Sequence, residues 1–191
     1  MDIDAAIAEL GTKLDEWFDG NLTTFASQDH RMQGKALDRG IAIVRELDRL
    51  KAEGLAALAA LLKRKDAATN DERIASLIRG FEFGVRLAGT LHDELLDTNG
   101  ETKVVRLTCA IVTELDAIDP SRAALAGLLD HSDAGIRASA GAHLIRSMPE
   151  RVVPILRDIE ANEHANSAHF SALFTLFRWE HRHTATKEKN G

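Results

Sequence analysis

The side chains best suited to chemistry lie toward the C-terminus, where most of the eight histidines fall. These are His131, His143, His164, His169, His181 and His183. Three glutamates, Glu160, Glu163 and Glu180, lie among them, and imidazole with carboxylate is a common ligand set for transition metals. Glu160 and His164 share a helix face only if the helix continues past Asn162, and no His-Glu-x-x-His motif is present. We therefore predict no metal site and no cofactor.

Nucleophilic catalysis is also not indicated. Cys109 is the single cysteine, and it lies in the apolar run 104–115, where we expect a buried thiol without an activating base. No Gly-x-Ser-x-Gly motif occurs, and the glycines at 80, 84 and 89 fall in a helical pattern and not after a strand. The sequence thus predicts no catalytic residues and a non-enzymatic protein.

Three aromatic side chains recur at helical spacing near the end of the chain. Phe170, Phe174 and Phe177 are separated by four and three residues, so they share one face of a helix. That face is either the core side of a terminal helix or an exposed binding surface, and both interpretations stay open. His143 likewise fits either a polar contact between helices or a contact with a ligand.

The elements that carry these residues are predicted to be helices. The chain has no Tyr, seven Phe and many Ala and Leu, a composition that favours an all-α fold. The expected helices cover residues 4–18, 32–50, 55–62, 74–96 (one helix or two), 104–115, 120–129, from 133, 149–159 and 168–181. In the second of these, Leu37, Ile41, Val44, Leu47 and Leu50 recur at helical spacing.

The run from Leu128 to Arg137 indicates a helical hairpin: one helix ends, an acidic turn follows, and Asp133 can cap the next helix. At an offset of 31 residues Val105-Arg106 aligns with Ile136-Arg137, and at 32 Leu144 aligns with Leu176. The chain resembles the HEAT-like repeat superfamily, and more narrowly a small bacterial HEAT-like domain family of unknown function. The residues that carry the resemblance are Leu125, Leu128, Leu129, Asp130, Asp133, Ile136, Arg137, Ala140 and Leu144.

The resemblance implies a right-handed stack of antiparallel helical hairpins with about eight to nine helices. It would form a single domain over residues 1–183, most regular over 100–183, with 1–50 either part of the stack or a cap on it. Residues 184–191 are predicted to be a disordered tail. The family default is protein–protein interaction, and it brings no catalytic residues.

The repeat registers also predict which residues face a partner. Phe170 and Phe174 align with Ala138 and Ala142 at 32 residues, and Leu107 and Ile111 align with the same two positions at 31. These positions point away from the repeat core. We therefore expect a partner-binding surface on the inner helices. Its members are Leu107, Ile111, His143, Phe170 and Phe174.

Charge and hydropathy limit the kind of partner. The net charge is −6, which disfavours a nucleic-acid partner and favours a basic protein partner. One such protein would be an immunity or antidote protein, whose partner is a basic toxin that it neutralises. The alternatives are a HEAT-like DNA glycosylase, which would need a basic channel, and a homodimer closed by the apolar surface. The acidic N-terminus does not resemble a signal peptide, and no apolar run reaches about 20 residues, so a cytoplasmic protein without membrane contact is expected.

Overall fold

The computed structural model describes residues 9, 12, 13, 16, 17, 30–63, 69–93 and 96–189, and the regular structure within them is all helical. The all-α prediction is therefore confirmed for this part of the chain. Packing divides the protein into two compact units, residues 1–60 and 61–191, where the sequence predicted one domain over 1–183.

Seven α-helices lie within the described residues. They are α1 (His30–Lys63), α2 (Asn70–Asp93), α3 (Thr98–Ile118), α4 (Ala123–Gly127), α5 (Ala134–Leu144), α6 (Pro149–Asn162) and α7 (Ser167–Lys189), with a 3₁₀ turn at Leu128–Asp130 after α4. The predicted count of eight to nine is wrong for this part of the chain. Gly54 is buried inside α1 and does not end it, so the segments 32–50 and 55–62 form one helix. The segment 74–96 is also one helix, and the predicted helix over 4–18 lies mostly outside the described residues.

Short polar side chains begin most of these helices by accepting hydrogen bonds from free backbone N–H groups. The Thr69 hydroxyl accepts from Glu72 N at 3.2 Å, so Thr69 caps α2. Asp97 accepts from Gly100 N at 2.9 Å and Asp119 from Ala124 N at 3.0 Å. Asn166 accepts from His169 N at 2.9 Å at the start of α7. Each polar break in the sequence thus fixes where a helix begins.

In the first unit, the apolar stripe of α1 is only partly buried. Leu47, Leu50 and Leu58 are buried, whereas Leu37, Ile41 and Val44 are 53, 40 and 46% exposed. Gly40 is buried under the Trp17 ring, and a Cβ there would lie 2.5 Å from Trp17 Cζ2. The close approach of the Trp17 ring explains the glycine at position 40 of this helix.

In the second unit, the helices pack in hairpin-like pairs. α2 packs along α3, and the buried residues of this pair include Leu77 and Phe81 on α2 and Ile111 and Leu115 on α3. α5, α6 and α7 pack against one another, and Ile136, Leu144, Leu156, Ala172 and Leu176 are all almost completely buried. The resulting core holds α7 by one face only.

The last helix is longer than predicted. α7 continues to Lys189, beyond the end expected near His181, so most of the tail predicted to be disordered is helical. Residues 184–189 consist of threonine, alanine, lysine and glutamate and include no glycine or proline, the residues that most strongly break a helix. Within the described residues, no helix combines the length and the apolar character needed to cross a membrane.

Candidate partner-binding surface

α7 is apolar on two opposite sides. Ala168, Ala172 and Leu176 form the buried side, at spacings of four residues. Phe170, Phe174 and Phe177 form the other side, which we call the aromatic stripe; their exposed fractions are 38, 62 and 53%. With 3.6 residues per turn, positions 170, 174 and 177 lie opposite position 172. The structure therefore favours the surface interpretation of these phenylalanines over the core interpretation.

Contacts at both ends of the stripe fix the position of α7. At its start, Asp93 at the end of α2 accepts hydrogen bonds from Ser167 N at 2.8 Å and Ser167 Oγ at 2.7 Å. Further along, Arg157 of α6 forms an ion pair with Glu180. The stripe is thus carried by a helix that is anchored to two neighbouring helices.

Histidine rings line the stripe. His92 and His169 make edge contacts with Phe170, with ring centroids 6.2 and 5.6 Å apart. The His181 ring lies 3.9 Å from the Phe177 ring, and its Nδ1 is 2.9 Å from the Phe177 carbonyl oxygen. Phe174 makes no ring contact with the described residues. It is the most exposed of the three.

His143 lies in a contact between helices, which is one of the two interpretations that the sequence leaves open. Its ring packs edge-on against Phe81, with centroids 6.1 Å apart, on the side of α5 that faces α2. Burial lowers the pKa of His143, the nearby Arg122 lowers it further, and Asp116 opposes both. Arg122 donates to the His143 carbonyl at 3.0 Å and pairs with Asp116 at 2.5 Å. His143 is therefore part of a contact between helices and not of the aromatic stripe.

The two predicted residues of α3 do not join the stripe either. Ile111 is completely buried, and its Cδ1 would lie 3.3 Å from a Cβ at Gly80, so its prediction as a partner contact is wrong. Leu107 is half-buried on α3, whose main packing partner is α2, whereas α7 packs mainly on α5 and α6. The 31-residue register failed because α3 turns the Ile111 face, shared with Thr108 and Leu115, toward α2.

Cys109 is exposed, so the expectation of a buried thiol is also wrong. With 3.6 residues per turn, Cys109 lies about 160° around α3 from Ile111, which occupies the core. The apolar run of which Cys109 is part therefore has one buried side, and the cysteine lies outside it.

The acidic turn between α4 and α5 is held by contacts among its own residues and by one ion pair with α6. Asp133 accepts from Gly135 N at 2.8 Å and from Ile136 N at 3.2 Å, which confirms it as the cap of α5. Arg137 donates to the carbonyls of His131 and Ser132, both at 2.8 Å. Asp130 pairs with Arg151 at 2.7 Å. These contacts give the charged residues of the turn a structural role.

Among the described side chains, no group of three or more His, Cys, Asp and Glu lies close enough together to hold a metal ion. Comparison of the chain with protein-family models, with curated proteins and with solved structures gives no match.

Proposed function

We propose that the protein is a non-enzymatic binding module that holds a protein partner on the aromatic stripe of α7. The observation that carries this proposal is the pair of apolar faces on one helix. One face has its packing partner in α5 and α6, and the other leaves three phenylalanines in solvent. Each exposed aromatic ring forgoes the free energy of burial, and adjoining exposed rings are typical of binding sites.

We also propose that the second unit is a HEAT-like arrangement of helical hairpins. The pairing of α2 with α3 and of α5 with α6 supports this, as does the Asp133-capped turn closed by Arg137. In such an arrangement the last helix lacks a following hairpin. That position would account for the free side of α7.

The side chains around the stripe suggest the chemistry of the partner. Phe174 would fill an apolar pocket, because a large ring with few internal contacts gives the greatest gain on burial. Arg178, exposed on the adjoining edge of α7, makes no ion pair with the described residues and could meet a carboxylate. The net charge of −6 favours a partner that is basic as a whole, as in an immunity or antidote protein that neutralises a toxin.

A photo-crosslinking experiment tests this proposal. A photoreactive phenylalanine analogue replaces Phe174, and in a second protein it replaces the exposed Gly127 of α4, where no atom crowds the position. Both proteins are irradiated in native lysate. We expect a discrete adduct from position 174, no corresponding adduct from position 127, and loss of the adduct when excess unlabelled protein is added.

A competitor variant makes this test specific. Phe170→Asp/Phe177→Asp should remain folded and should fail to compete, because it lacks the two rings that flank position 174. Equal competition by this variant and by the unaltered protein would exclude the stripe as the binding surface. The same adducts from positions 127 and 174 would indicate nonspecific capture and would also contradict the proposal.

A further inference from the structure

A second exposed apolar surface lies on α1, in the first unit. Leu37, Ile41 and Val44 are separated by four and three residues, and we call them the α1 seam. If Leu37 is assigned to heptad position d, Ile41 occupies the next position a and Val44 the next position d. Apolar residues at positions a and d form the contact between two helices of a coiled coil. The seam runs beside the buried positions Gly40 and Leu47, which occupy g.

The charges beside the seam are arranged so that they complement themselves. Asp38 and Arg45 both occupy position e, both are exposed, and neither makes an ion pair with the described residues. Seven residues of helix separate them by about 10 Å, so they cannot pair with each other within one chain. Each is available to a charge on a second helix.

We propose that the protein forms an antiparallel homodimer through the α1 seam. A two-fold axis near residue 42 places Ile41 of each copy beside Val44 of the other. It also brings Asp38 of each copy next to Arg45 of the other, so one sequence element supplies both halves of two ion pairs. A symmetric contact requires that kind of self-complementarity.

The parallel orientation lacks these contacts. In a parallel pair, position e faces position g of the second copy, where Gly40 and Leu47 carry no charge and are buried within their own unit. Asp48, which occupies the next heptad position a, would also face Asp48 of the second copy, and two negative charges at facing positions are unfavourable. The charges therefore select the antiparallel pair.

The seam is short, which sets the expected strength of the dimer. Residues 37–48 span about 18 Å of helix, so the contact buries less than the roughly 1,200 Å² of a standard stable complex. We expect a dimer that dissociates on dilution and weakens as salt rises.

Charge reversal tests the proposal with the full-length chain. Sedimentation velocity over a wide range of concentration gives the dimer dissociation constant for the unaltered protein, for Asp38→Arg, for Arg45→Asp and for the double variant. Each single reversal turns two attractive pairs into two repulsive ones and should raise the dissociation constant about tenfold. The double variant rebuilds both pairs with opposite polarity and should return it to within about threefold of the starting value.

Two matched controls complete the design. Lys35→Glu reverses an exposed charge on the opposite side of α1 and should leave the dissociation constant unchanged, and circular dichroism verifies that every variant is helical. A monomer at every concentration would overturn the proposal. So would a dimer that Asp38→Arg and Arg45→Asp leave intact, or one that Phe174→Asp dissociates, since the contact would then lie elsewhere. The α7 proposal is untouched by any loss of the α1 contact.

Discussion

At the scale of single residues, charged side chains with well-defined hydrogen bonds stabilise the packing of the helices. Arg122 joins the end of α3, through Asp116, to the end of α5, through the His143 carbonyl, and Asp133 closes the turn before α5. The sequence predicts the cap at Asp133 because an aspartate followed by a helical pattern has few other roles. It does not predict the Arg122 contacts, since these join positions 6 and 21 residues apart.

The lowered pKa of His143 predicts how stability changes with pH. The folded protein binds the imidazole proton more weakly than the unfolded chain, whose value is near 6.5, so the free energy of unfolding should fall as pH drops below 6.5. His143→Gln should remove this contribution, which has a slope of at most about 1.4 kcal/mol per pH unit. Urea unfolding between pH 7.5 and about 5 measures it. Exposed His164→Gln is the matched control, and parallel curves for His143→Gln and the unaltered protein would refute the assignment.

A second residue-scale prediction concerns the cap of α5. Asp133→Ala leaves the N–H groups of Gly135 and Ile136 without their side-chain acceptor and should lower the free energy of unfolding by about 1 kcal/mol. Asp133→Asn keeps an acceptor oxygen and should lose less. Thermal unfolding of both variants provides the comparison. Equal losses would assign the effect to the negative charge and its 3.7 Å contact with Arg86, and not to the cap.

At the scale of elements, periodicity predicts where most helices lie and fails where neighbours decide. Proline at position 149 and the cap Asp133 mark helix starts that the structure confirms, whereas α3 begins at Thr98 and not near the predicted residue 104. In the sequence, Gly54 suggests a break between two helices. The structure places it at a buried position inside α1, where a small residue allows close packing. Likewise, Leu37 and Leu47 fit one apolar pattern, and only tertiary packing separates the exposed residue from the buried one.

The close approach of α5 and α6 makes a prediction at this scale. A Cβ at Gly141 would lie 3.0 Å from Leu156 Cδ2 and 3.2 Å from Val152 Cγ1, and both of those side chains are completely buried. Gly141→Ala should therefore destabilise the protein by about 1–3 kcal/mol. Gly127→Ala, which meets no atom within 4 Å, is the matched control and should stabilise α4 by about 0.5–1 kcal/mol. A gain of stability at position 141 would show that the two helices can move apart.

At the scale of the whole molecule, two units each carry an exposed apolar surface on a helix. The sequence predicts the all-α fold and the spacing of Phe170 and Phe174, but not which side of α7 is buried, because Ala168, Ala172 and Leu176 form an equally regular pattern. The sequence also fails to predict that Ile111 is buried, since a repeat register aligns positions without indicating which element packs on them. The central claim is that α7 has one structural face and one free face.

Equilibrium unfolding in urea tests that claim most directly, through the matched variants Phe174→Ser and Leu176→Ala on the two faces of α7. We predict that Phe174→Ser stays within about 0.5 kcal/mol of the unaltered protein, because its ring makes few internal contacts. Leu176→Ala should lose roughly 2–5 kcal/mol, because it leaves a cavity in the core. A loss for Phe174→Ser as large as that for Leu176→Ala would show that the phenylalanine belongs to the core, and would contradict the binding surface proposed for α7.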